Sequence, residues 1–122
     1  MEGDRFVVTT TERGKTRTDF STDDVGVLNH YLLVQFGESW RLRRGLPIVV
    51  TRLYPPVPAG FEVRADPRGD VEMSWTADDG RTVTAGNLRF ESERRLANVC
   101  RVPLPVLEAT LLDDSGRPQP LF

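Results

Sequence analysis

The residues of this chain that could do chemistry are one histidine, one cysteine, several acidic turns and a large set of arginines. His30 is the sole histidine, so a reaction needing two imidazoles, or a His-rich metal site, is excluded. It lies mid-helix by pattern, beside Tyr31, where a structural or surface role outweighs general-base catalysis. Cys100 is the sole cysteine, so no internal disulfide forms, which fits a reducing compartment. It falls on an apolar helical face, where a buried inert thiol is the usual case. A nucleophilic thiol would need a base and an electropositive pocket. Asp66 with Asp70, Asp78 with Asp79, and Asp113 with Asp114 all sit at turns. Such carboxylates can hold a hard cation, but none has EF-hand spacing, and turn chemistry is the preferred reading. No P-loop, G-x-G-x-x-G or G-x-S-x-G occurs. The expectation is a protein with no catalytic, cofactor-binding or metal-binding residues, and therefore one that works by binding.

Arginine and aromatic residues dominate energetic anchors at protein interfaces. On that rule the candidate partner-binding residues are Arg52, Tyr54, Arg64 and Trp75, around a proline-rich loop and the strands after it, together with Arg68 and Glu72. Trp75 alternates with polar Ser74, so a core-facing position is preferred for it over an interface. Arg41, Arg43 and Arg44 form one expected basic patch, read as helix-end electrostatics. Arg94, Arg95 and Arg101 form another.

These residues need a scaffold, and 122 residues fit one domain, 1–122. With 39% hydrophobic residues, a core can form without metal or disulfide staples. The net charge of −2 argues against nucleic acid as partner. No apolar run is long enough to span a membrane, and the first residues lack signal-peptide character, so a cytoplasmic protein is expected. Fifteen arginines against the single Lys15 fit a GC-rich, actinobacterial source.

The fold expected is α+β. Residues 6–11 and 16–20 are β-branched and aromatic, and Gly14 lies in the turn between them, giving an N-terminal hairpin. Ser21 is the expected cap of a long helix that carries Val25, Leu28, Leu32 and Phe36 at helical spacing. Gly37 is a point where that helix could divide in two. Gly45 fits the residue just past its end, and Pro47 stops it. Residues 48–53 read as a strand. Alternation then gives an antiparallel meander through Phe61, Val63 and Ala65, through Val71, Met73 and Trp75, and through residues 81–85. One face of it should pack on helices and the other meet water or a partner. Two short C-terminal helices follow, residues 92–101 and a second beginning near Pro105 with Leu107, Leu111 and Leu112. The apolar end of the tail, 117–122, is expected to dock on the body.

Several of these stretches resemble a known family. The run Tyr31-Leu32-Leu33-Val34-Gln35-Phe36-Gly37-Glu38-Ser39-Trp40-Arg41, followed by Gly45-Leu46-Pro47, is similar to the core motif of small bacterial immunity proteins encoded with polymorphic toxins, largely in actinobacteria. Pro58-Ala59-Gly60-Phe61 resembles that family's entry to its sheet. Leu111-Leu112-Asp113-Asp114-Ser115-Gly116-Arg117-Pro118 resembles its closing segment, with Gln119 and Pro120 extending the spacing. The family includes antitoxins of NAD-hydrolysing toxins related to the tuberculosis necrotizing toxin. The resemblance implies an antitoxin that needs no cofactor and, as a monomer, blocks the active site of a cognate protein toxin in a 1:1 complex. Two other readings remain open: a small-molecule module with a pocket near Trp40, Tyr54 and Trp75, and a homodimeric structural domain using the meander edge.

Overall fold

The computed structural model describes residues 5–47, 56–89 and 92–114. The expected strand at 48–53, the tail at 117–122, and the candidate residues Arg52 and Tyr54 lie outside the described residues. In chain order the elements are β1 (Phe6–Glu12), β2 (Lys15–Thr22), α1 (Val25–Arg43), β3 (Glu62–Ala65), β4 (Val71–Thr76), β5 (Thr82–Leu88), α2 (Ser92–Val99) and α3 (Leu104–Leu111). The strands form one antiparallel sheet in the order β1-β2-β5-β4-β3. The expected α+β class, hairpin, long helix, meander and two C-terminal helices are all present.

The hairpin closes on Arg13 and Gly14, both at positive φ. That is the two-residue turn whose twist matches the strands. An extra residue, Asp19, bulges from β2 between the pairs Val8–Phe20 and Thr9–Thr18. A second bulge lies in β5 opposite Glu72, and there Asn87 adopts a φ of 61°. Asn tolerates that region better than most residues.

Helix α1 starts one turn later than the Ser21 expectation. β2 runs through Thr22 because Ser21 and Thr22 pair with Gly86 and Ala85 of β5. The cap is Asp24, whose side chain accepts the Val27 N–H at 3.0 Å. The helix ends as expected: the N–H groups of Gly45 and Leu46 donate to the carbonyls of Leu42 and Arg41, with Gly45 at φ 69°. That is a Schellman closure. Gly37 does not divide the helix, which is continuous from Val25 to Arg43. A Cβ there would lie 3.0 Å from Leu111 Cβ and Cδ1, so Gly37 is the spot where α3 touches α1.

All three helices lie on one side of the sheet, and two apolar clusters stack outward from it. The first joins Phe20, Met73, Val83, Ala85 and Leu88 of the sheet to Val27 of α1 and to Leu96 and Ala97 of α2. Within it Phe20 stacks on Tyr31, centroids 4.1 Å apart. The second joins Val34, Val99, Leu107 and Leu111, and holds α3 onto α1 and α2. Leu112, expected in this core, caps α3 and is exposed.

Arg41 departs furthest from expectation. Instead of joining a surface patch with Arg43 and Arg44, it is 1% exposed. Its guanidinium donates to the carbonyls of Pro47, Leu111 and Asp113. A cation at the carbonyl-rich end of α3 is electrostatically favoured. Arg44 lies over the Trp40 ring at 4.9 Å.

Candidate partner-binding surface

Cross-strand partners share a face of a sheet. The pairs Met73–Ala85 and Trp75–Val83 therefore face the helices, and Ser74–Thr84, Thr76–Thr82, Glu62–Ser74 and Arg64–Glu72 face the other way. No described helix covers that second face. It is polar, built mainly of Ser, Thr and charged side chains.

One part of it is held rigid by hydrogen bonds. Arg5 donates to Thr84 Oγ1 at 2.9 Å and to Ser21 Oγ at 3.0 Å, and Ser21 donates to Asn87 Oδ1 at 2.8 Å. Gly86 makes room for this network, since a Cβ there would lie 2.9 Å from Ser21 Oγ.

Of the candidate residues, Arg64 and Glu72 are register partners on the open face. Arg68 is exposed in the β3–β4 turn, where Asp66 Oδ1 accepts the backbone N–H groups of Arg68 and Asp70. The Asp66 and Asp79 carboxylates do turn work, as read from sequence. Trp75 belongs to the helix-covered face, packed on Phe61 with centroids 4.9 Å apart and against the first core cluster. The structure thus gathers Arg64, Arg68 and Glu72 along β3 and β4, and places Trp75 on the opposite face.

A groove that sequence reasoning missed lies on the helix side, between β2, α1 and α2. Arg17, Asp19, Tyr31, Gln35, Arg89 and Arg95 line it, and its volume is about 340 Å³. A second hollow of about 360 Å³ adjoins it and reaches Arg68 and Asp70. Arg17 pairs with Asp19 at 2.9 Å, and Arg89 with Asp70 at 3.1 Å. Thr10 also donates to Asp19, which fixes the bulge. Burial, aided by the Asp19 charge, pushes the Tyr31 phenol above its ordinary 10.0. Of the expected Arg94–Arg95–Arg101 patch, Arg95 turns into this groove and Arg101 is exposed beyond the helix end.

The histidine and the cysteine are held within the fold. Both His30 ring nitrogens meet carbonyls, Nδ1 at 2.8 Å from Gly26 O and Nε2 at 2.7 Å from Val102 O. His30 therefore ties α1 to the α2–α3 connection. Burial pushes the Cys100 thiol up to about 12, which leaves almost no thiolate at neutral pH. Among the described residues no group of three or more His, Cys, Asp or Glu is placed to hold a metal ion. No described helix is long and apolar enough to cross a membrane.

The family described as Immunity protein 61 matches residues 1–119. This chain belongs to the Immunity protein 61 family. Among solved structures it is similar to Rv3902c from M. tuberculosis, with a TM-score of 0.65 and 22% sequence identity. The likeness is one of fold, covering 93% of this chain. The chain spans 66% of the length of that protein. Comparison with curated proteins gives no match. The Immunity protein 61 fold, as seen in this chain, leaves one sheet face uncovered by its described helices.

Proposed function

We propose that this chain is an antitoxin that binds a cognate toxin domain and blocks its active site, with the open sheet face and the β3–β4 turn as the contact surface. Membership of an immunity-protein family over residues 1–119 carries the reading. A partner-binding surface should be preformed, polar at its rim and independent of the core. The Arg5–Ser21–Thr84–Asn87 network supplies the preformed part, and the charged register partners Arg64 and Glu72 supply a polar rim. Inhibition of this kind is non-enzymatic, takes no cofactor, and proceeds through a 1:1 complex in the cytoplasm.

The toxin is proposed to hydrolyse NAD, a reading that rests on the sequence resemblance around Tyr31–Pro47 and Leu111–Pro118. Co-expression with the toxin encoded beside it should rescue growth and yield a stable 1:1 complex in which NAD hydrolysis is suppressed. A chain that neither protects cells nor forms the complex would refute the antitoxin reading. Protection against a toxin that leaves NAD intact would refute only the substrate.

A further inference from the structure

The hollow that Arg95 lines lies on the helix side of the sheet, and the adjoining one reaches Thr16 and Thr18 of β2 and the β3–β4 turn at Arg68. The two hollows share Arg17, Asn87 and Arg89, and so adjoin. We propose that this groove is an oxyanion-binding site that takes a discrete phosphate- or carboxylate-bearing group of at least two negative charges.

The argument starts from charge. Arg17, Arg68, Arg89 and Arg95 reach the groove, while Asp19 and Asp70 are the acids within it. Each acid is already engaged by one arginine, Asp19 by Arg17 and Asp70 by Arg89. Arg68 and Arg95 have no carboxylate partner among the described residues. The groove therefore carries a local positive excess on a chain whose net charge is −2.

Geometry narrows the ligand. A guanidinium presents a planar fork that fits phosphate or carboxylate in bidentate fashion. The Asp19 and Asp70 contacts, with the Arg89 bond to Thr18 O, hold two of those forks before any ligand arrives. The hollows have the volume of small-ligand pockets. A negatively charged chain with so short a cationic surface does not suit a long polyanion. Arg68 also belongs to the proposed toxin-contact surface, so Arg95, which does not, is the residue that tests the oxyanion site apart from toxin binding.

Calorimetric titration with inorganic pyrophosphate, at an ionic strength fixed with sodium chloride, tests it. Saturable 1:1 binding is expected, and Arg95→Gln and Arg68→Gln should each weaken it roughly tenfold. Arg68 lies in an exposed turn, so its variant reports on binding even if Arg95→Gln impairs folding. Heat no greater than in the chloride control, or equal binding by the folded variants, overturns the proposal. A tetra-aspartate peptide that competes with pyrophosphate assigns the site to carboxylates of a protein partner. Pyrophosphate binding that the peptide leaves untouched assigns it to phosphates. Either result upholds an oxyanion site.

Discussion

Cys100 follows Val99 at the end of α2, and its thiol is pushed up to about 12, chiefly by burial and further by the Asp24 charge. At pH 8 the thiolate fraction is on the order of one in ten thousand. Ellman's reagent should therefore label the native protein far more slowly than the unfolded chain, and rapid native labelling would contradict the burial. Asp24 is the complementary case. Burial acts to raise its carboxyl, but the Val27 N–H and the Arg81 guanidinium, 2.7 Å away, outweigh it and hold it below 3.8. A carboxyl with a depressed folded pKa stabilises the fold above its unfolded value and loses that contribution as pH falls through the folded one. Asn caps nearly as well as Asp, so Asp24→Asn isolates the charge. After solvent screening the loss at pH 7 should be under about 1 kcal/mol, and urea melts should show the gap closing below pH 3.8.

The joints between elements carry larger effects. In an open helix Gly37→Ala would gain about 1 kcal/mol. Here the new methyl meets Leu111 at 3.0 Å, and overpacking costs about 1–3 kcal/mol. Equilibrium unfolding should show a net loss, and a net gain would mean that α3 yields easily. Arg41→Met keeps the volume but strips three carbonyls of their donor. Charge-assisted hydrogen bonds count for about 1.5–3 kcal/mol each, and removing a buried guanidinium whose Nη2 has no hydrogen-bond partner among the described residues returns part of that, so a net loss of about 3 kcal/mol is expected in the same assay. The hairpin, the long helix and the meander were readable in sequence because turn residues and periodicity are local signals. The roles of Gly37 and Arg41 were not, since both depend on Leu111 far along the chain. Ser21 and Asp24 are equally good capping types. The pairing of β2 with β5 decides between them. The same holds for the groove, where Asp70 meets Arg89 across the fold and a bulge turns Asp19 toward α1.

For the molecule entire, partner binding and stability should separate. The double change Arg64→Gln with Arg68→Gln alters two exposed side chains without placing like charges across the sheet. It should weaken toxin binding at least about tenfold and move the melting temperature by no more than about 2 °C. Trp75→Ala should do the reverse, costing about 2–3 kcal/mol of stability through lost packing on Phe61 and the core. Surface plasmon resonance and thermal melts on both variants decide it, and a binding loss that tracks stability would mean the face has been misread.

Along β4 and β5, adjacent residues answer to different demands. Met73 and Val83 are held by the core, while their neighbours Ser74 and Thr82 meet the outside. With the open face as the proposed toxin contact, a lineage could rewrite every second position of these strands and keep its fold. Saturation mutagenesis scored by folding alone should show tolerance alternating with a period of two through Val71–Thr76. Scored by protection against the toxin, the tolerant positions should become the sensitive ones.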